Sequence, residues 1–146
     1  MIAARAAALL FALFFALKPA LALEDSKYQN LLTPLLSADA DIVGQPLAYP
    51  SGKPKVTAAI VTIPPGGETG WHLHRVPLFV YVMEGEVTVD YGSKGTKVYT
   101  SGQSLMEAMN WAHNGMNKSA APVKILAVYM GGDDKANVEA TAAPAP

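Results

Sequence analysis

The 146-residue chain contains no cysteine, and this absence excludes several kinds of stabilising and reactive site. The protein has no disulfide, no thiolate nucleophile, no thiolate metal ligand and no lipidated cysteine of a lipoprotein. Its stability must therefore come from a hydrophobic core and from any metal ion that the folded chain binds.

Charge is also scarce. Only 16% of the residues are charged, the net charge is −1, and the lysines and arginines form no cluster. Binding to nucleic-acid phosphates needs a basic patch, so we expect no nucleic-acid partner. The length and the 51% hydrophobic content are typical of one globular domain.

One apolar run stands at the amino terminus. Arg5 precedes the run from Ala6 to Leu17, and Ala20-Leu21-Ala22 is a small-x-small cleavage signal. A membrane span needs about 20 apolar residues, so the shorter run favours a signal peptide over residues 1–22 rather than an anchor. We expect a periplasmic or secreted protein that begins at Leu23 and is free of the membrane after processing.

Downstream, short runs of β-branched and aromatic residues alternate with turn signals such as Pro64-Pro65-Gly66-Gly67 and Gly92-Ser93-Lys94-Gly95. Many short strands at near-regular spacing are typical of an all-β barrel or sandwich. The predicted strands are Lys55–Ile63, Leu78–Met83, Glu86–Tyr91, Thr96–Thr100, Ser104–Ala108 and Val123–Tyr129.

The flanking segments lack this pattern. Residues 23–54 form an N-terminal arm, in which 25–36 is compatible with a short helix that Pro34 interrupts. Residues 55–132 hold the predicted barrel. Residues 133–146 are rich in charge, alanine and proline and have little apolar bulk to offset their ordering entropy, so they are predicted to be a disordered tail.

Two of the three histidines, His72 and His74, lie one residue apart. On a strand they point to the same side. Convergence with the third histidine, His113, would create a metal site with open positions for water or substrate. Solvated or core histidines are the alternative, but the shared strand parity favours one divalent ion, with Fe, Mn, Zn, Ni and Cu not distinguished.

The spacing around these histidines resembles the two signature blocks of the cupin superfamily. The matching positions are Gly66, His72, His74 and Gly85 in the first block and His113 and Asn117 in the second. The resemblance covers most of the mature chain and implies an all-β fold with a single cupin-type barrel, the double-stranded β-helix or RmlC-like jelly roll. Ala108 and Asn110 depart from the Pro-x-Gly expected before the last histidine.

A second departure falls on a ligand, because Leu78 occupies the position of the usual cupin carboxylate. Three neutral histidines leave a divalent ion with a charge of about +2 instead of about +1, which favours an anionic or chelating small molecule. Three-histidine cupins of this sort resemble thiol and diketone dioxygenases, which implies a metal-dependent, dioxygenase-like enzyme or a related lyase or hydrolase. A non-catalytic barrel that binds a metal or small ligand is the alternative that stays open.

Glu107 and Tyr81 are the candidate catalytic residues. Glu107 precedes His113 at the end of a predicted strand, where an inward carboxylate would serve as a replacement ligand or general base, whereas a solvated side chain is the alternative. Tyr81 belongs with Trp71, Phe79 and Trp111 to the aromatic residues that would line a pocket, or else fill the core. The expected partner is a small molecule, and a homodimer is left open.

The terminal pattern predicts processing near Leu23, because signal peptidase cleaves after the small-x-small motif. Amino-terminal sequencing of the exported protein checks this expectation. A mature protein that retains Met1 would contradict export through a cleaved signal peptide.

Overall fold

The computed structural model describes residues 28–132 and 136–144, so the signal peptide predicted over 1–22 lies outside the described residues. The chain divides into two units, Met1–Thr33 and Pro34–Pro146. In the first unit the described residues form a single turn, in which Leu31 N donates to Tyr28 O. Of the short helix expected over 25–36, residues 28–36 are described, and only this turn is helical there. No helix of the described residues is long and apolar enough to cross a membrane.

The second unit is built of β-strands, and the expected all-β fold is confirmed. The described strands are β1 Pro54–Ile63, β2 His72–Leu73, β3 Leu78–Glu84, β4 Glu86–Asp90, β5 Thr96–Thr100, β6 Ser104–Met106, β7 Asn114–Met116, β8 Val123–Gly132 and β9 Glu139–Ala140. All six predicted strands are present with small shifts at their ends, while β7 and β9 were not predicted.

The strands form a four-stranded sheet in the order β1-β8-β3-β6, a three-stranded sheet in the order β5-β4-β7 and a two-stranded β2-β9 pair. All of these pairings are antiparallel. Alternation along β3 buries Leu78, Val80 and Val82 in the core that also contains Val87 and Val89 of β4. The two larger sheets thus contribute their apolar faces to one interior.

Gly85 makes the corner between β3 and β4. Its φ angle is 81°, in the left-handed region that favours glycine. A Cβ atom there would also lie 3.0 Å from the carbonyl oxygen of Pro122. Both the backbone conformation and the close approach of the chain therefore require glycine at this position of the first cupin block.

Asn117, the last residue of the second block, has a structural role. Its side chain is 1% exposed, and its Nδ2 donates to the carbonyl oxygens of Ile63 and Ala121 at 2.9 and 2.8 Å. Its Oδ1 accepts from the backbone and hydroxyl of Ser119. Asn117 thereby ties the turn before β8 to the end of β1 rather than contributing to a site.

The tail, predicted to be disordered over 133–146, is ordered where the structure describes it. Residues 136–144 return to the barrel, β9 pairs with β2, and Thr141 N donates to Trp71 O at 3.0 Å. The prediction was wrong for these residues because it counted only apolar burial. An unpaired strand edge can order a polar segment through backbone hydrogen bonds.

Candidate metal centre

Backbone pairing brings the three histidines together. His72 N donates to His113 O at 3.0 Å and His113 N donates to His72 O at 2.9 Å, so the two residues form a hydrogen-bonded antiparallel pair with side chains on one face. Their ring centroids are 4.5 Å apart. His74, two residues from His72, places its ring 4.9 Å from His72 and 5.0 Å from His113.

Each imidazole is oriented by a backbone carbonyl. The Nδ1 atoms of His72, His74 and His113 lie 2.8, 2.8 and 2.9 Å from the carbonyl oxygens of Gly70, Asn137 and Trp111 respectively. A carbonyl oxygen only accepts, so Nδ1 carries the hydrogen in each ring and Nε2 keeps its lone pair. One ligand nitrogen from each ring lies within 4.8 Å of the other two. This donor set fits a divalent metal ion.

Burial keeps His72 and His74 neutral. Desolvation is the main cause that lowers the pKa of His74 to about 3. The hydrogen bond to the Asn137 carbonyl raises this pKa, whereas the nearby His113 and His72 lower it further. Desolvation likewise lowers the pKa of His72, where the bond to Gly70 opposes it. Neutral imidazole is the form that ligates metal, so protons compete weakly for the site near neutral pH.

The histidines open into a mainly apolar cavity of about 340 Å³ between the sheets. Leu78, only 3% exposed, lines this cavity, so the residue at the usual carboxylate position does face the site. The other apolar walls include Val61, Ile63, Val80, Val87, Val89, Leu105, Ile125 and Ala127. The cavity therefore offers hydrophobic contact on most sides and polar groups at a few points.

Glu107 also lines the cavity and is 6% exposed, so the solvated alternative for this residue is wrong. Its Oε1 accepts from Tyr91 Oη at 2.9 Å and from Ala108 N at 2.8 Å. Glu107 is not part of the three-histidine ligand group. Both bonds end on one oxygen, which leaves Oε2 as the atom available to a molecule in the cavity.

Two tyrosines that sequence reasoning missed support this carboxylate. Tyr91 Oη lies 3.2 Å from Tyr99 Oη. Because Tyr91 gives its hydrogen to Glu107, Tyr99 donates to Tyr91 and the three groups form a directed chain. Burial raises the pKa of Tyr91 and raises that of Tyr99 to about 12, so both stay protonated. On β5, Tyr99 is buried between the exposed Val98 and Thr100, but strand alternation alone does not show that its hydroxyl meets Tyr91.

The structure does not bring Tyr81 to the cavity. Leu78 and Val80 face inward on β3, so the alternation of the strand places Phe79 and Tyr81 on the opposite face. Trp71 and Trp111, the other aromatic candidates, are likewise absent from the cavity lining, and Tyr99 and Tyr129 supply its aromatic walls. The odd separation between Leu78 and Tyr81 already made it impossible for both to face the site.

Comparison with known proteins supports the fold. Residues 59–129 match the cupin domain family model. Among solved structures, the polyketide cyclase RemF from Streptomyces resistomycificus is 17% identical, with 64% of each chain covered and a TM-score of 0.53. An uncharacterised double-stranded β-helix protein from Klebsiella pneumoniae is 20% identical, with 64% of this chain and 84% of that chain covered and a TM-score of 0.51.

The oxalate decarboxylase from Lactobacillus farciminis is 23% identical, with a TM-score of 0.51 over 58% of this chain. The present chain spans only 26% of that enzyme. No curated protein matches the sequence. At these identities the likeness shows the shared barrel, and the chemistry must be argued from the residues of the site.

The depressed pKa of His74 predicts that the metal-free protein loses stability as the pH falls. Below a pH of about 6.5 the imidazole of His74 is protonated in the unfolded chain but stays neutral in the folded protein, so the free energy of unfolding falls. Lowering the pH from 7.5 to 5.5 should cost about 1 kcal/mol through His74 alone. Urea unfolding at several pH values measures how the free energy of unfolding changes with pH. His74→Gln is the control, and its free energy of unfolding should change less with pH. Equal slopes for the two proteins would contradict it.

Proposed function

The chain belongs to the cupin superfamily, and from this membership we propose that it binds one divalent metal ion through the Nε2 atoms of His72, His74 and His113. The observation that carries the proposal is that all three Nδ1 atoms face carbonyl oxygens, which leaves the three Nε2 lone pairs free, while one ligand nitrogen of each ring lies within 4.8 Å of the other two. A bound ion supplies a Lewis acid that polarises a coordinated oxygen atom. Neutral imidazoles suit zinc, copper, iron and nickel alike.

The small molecule we propose has a largely apolar body and one anionic or chelating head group. The described residues that line the cavity include no lysine or arginine, so a phosphate would find no cationic side chain. The polar side chains in the lining, apart from the histidines, are those of Thr69, Tyr99, Glu107 and Tyr129. A cavity of about 340 Å³ suits a compact ligand, and its apolar walls exclude water from the head group.

The reaction we propose is dioxygenase-like, with Glu107 as the proton acceptor. Oε1 is held by Tyr91 and by Ala108 N, which fixes the carboxylate at the cavity wall. Oε2 would take a proton from a carbon or hydroxyl made acidic beside the chelating group. Protonation of Oε2 would weaken the hydrogen bond that Oε1 accepts from Tyr91, while Tyr99 holds Tyr91 in place.

The competing function is a non-catalytic barrel that binds a metal or small ligand, and the replacement of the usual carboxylate by Leu78 favours it. The two functions are separated by loading the protein anaerobically with Fe(II), adding acetylacetone and admitting oxygen. The dioxygenase-like function predicts oxygen consumption that falls strongly in Glu107→Gln. Binding of acetylacetone without oxygen consumption would support the non-catalytic barrel for this ligand class.

Removal of one ligand tests the metal site. We expect His113→Ala to lower zinc affinity by at least tenfold, because the remaining pair is a poor chelate, and to abolish the rise in melting temperature on adding zinc. Competition with a chromogenic chelator measures the affinity. Tyr81→Phe is the control, since Tyr81 faces away from the cavity, and it should bind zinc normally. Full stoichiometry and affinity in His113→Ala would refute the three-histidine site.

Leu78 offers a second test. Leu78→Glu places a carboxylate at the wall of the site, so it should tighten zinc binding and weaken azide binding to the loaded protein, two changes of opposite sign. Its burial should destabilise the metal-free protein. Calorimetry with both ligands gives the affinities, and Leu78→Gln controls for size. If Leu78→Glu and Leu78→Gln have equal zinc and azide affinities, a charge at this position does not affect the metal site.

A further inference from the structure

The C-terminal segment 136–144, here called the strap, reaches the same site as the histidines. After β8 the chain returns so that Ala140 pairs with His72 and Glu139 pairs with Leu73. The strap therefore adds a strand directly to the segment that carries two of the three histidines.

The strap also supplies the hydrogen-bond acceptor of His74 Nδ1. The carbonyl oxygens that orient His72 and His113 belong to residues two positions before each of them. The acceptor for His74 belongs to Asn137, which is 63 residues away. His72 and His113 therefore keep their acceptors in any folded barrel, whereas His74 depends on the strap.

Two further contacts hold the strap at the mouth of the cavity. Val138 lines the cavity and is 47% exposed, so it stands between the interior and solvent. Next to it, Glu139 Oε2 accepts from Arg75 Nε at 2.9 Å, and Arg75 Nη1 donates to Asn110 Oδ1 at 3.1 Å. The ion pair thus fastens the strap to the residue that follows His74 and to the loop beside it.

We infer that the strap is a positioning element of the metal centre: the Asn137 carbonyl fixes the hydrogen of His74 on Nδ1 and so turns Nε2 toward the ion. Without this acceptor the ring can rotate and exchange its hydrogen between the two nitrogens. In part of the population Nε2 then carries the hydrogen and has no lone pair for the ion. The inference rests on the proposed metal binding, but its first consequence, the tautomer of His74, is a property of the metal-free protein.

Two variants test the strap. The first ends the chain after Gly132 and removes the strap together with its acceptor. The second, Glu139→Arg in the full chain, replaces the ion pair with repulsion from Arg75. Glu84→Arg is the matched control, because Glu84 forms a comparable exposed ion pair with Lys124 on β8 and lies away from the strap.

The readouts are the tautomer of each histidine, from long-range ¹⁵N–¹H spectra of metal-free protein, and zinc affinity. We expect a single Nδ1–H tautomer for all three histidines in the full chain. Truncation should leave His72 and His113 unchanged, give His74 a mixture, and lower zinc affinity by about 10- to 100-fold. Glu139→Arg should lower the affinity by about two- to fivefold, and Glu84→Arg should not change it.

A truncated protein that keeps the His74 tautomer and full zinc affinity would overturn the inference. If truncation prevents folding, Glu139→Arg decides, and equal zinc affinity in Glu139→Arg and Glu84→Arg would overturn it as well. Failure of the full chain to bind zinc would instead refute the proposed function. The tautomer of His74 in full-length and Glu139→Arg protein would then decide the role of the strap by itself.

Discussion

The backbone hydrogen bonds between His72 and His113 are the contact on which the site depends. This pair joins the histidine strand to the segment before β7, which is distant in sequence, and places two imidazoles side by side. Strand alternation then adds His74 to the same face. A shift of this register by one residue would turn the histidines away from one another and would point their neighbours into the cavity.

The apolar interior is the second determinant, because it sets the charge of the groups inside it. Desolvation holds His74 neutral, and hydrogen bonds from Tyr91 and Ala108 compensate the burial of Glu107. Among the described residues, no buried side-chain nitrogen or oxygen lacks a hydrogen-bond partner. If the site holds a divalent ion as proposed, neutral imidazole ligands would leave the charge of that ion available to an anionic molecule.

Strand periodicity and turn residues allowed the strands and the shared face of His72 and His74 to be predicted, because those features depend on local spacing. The cupin-type barrel and the place of His113 in the site were implied by the family resemblance. The strap and the tyrosines around Glu107 could not be predicted in this way. Asn137 contributes a backbone carbonyl, which every residue possesses, and the strap orders by pairing rather than by apolar burial. Tyr81 lies away from the cavity because it is three residues from the inward-facing Leu78 on the same strand, and strand alternation places the two side chains on opposite faces. The signal peptide over 1–22 stays a prediction.

The central claim is that three imidazoles, and no carboxylate, bind one ion. X-ray absorption spectroscopy of the zinc-loaded protein tests it most directly, since the multiple-scattering pattern of imidazole counts the histidine ligands. We expect three imidazole nitrogens at about 2.0–2.1 Å from the zinc ion, with the remaining position taken by water or an added anion. Fewer than three imidazoles, or a carboxylate contributed by Glu107, would contradict it.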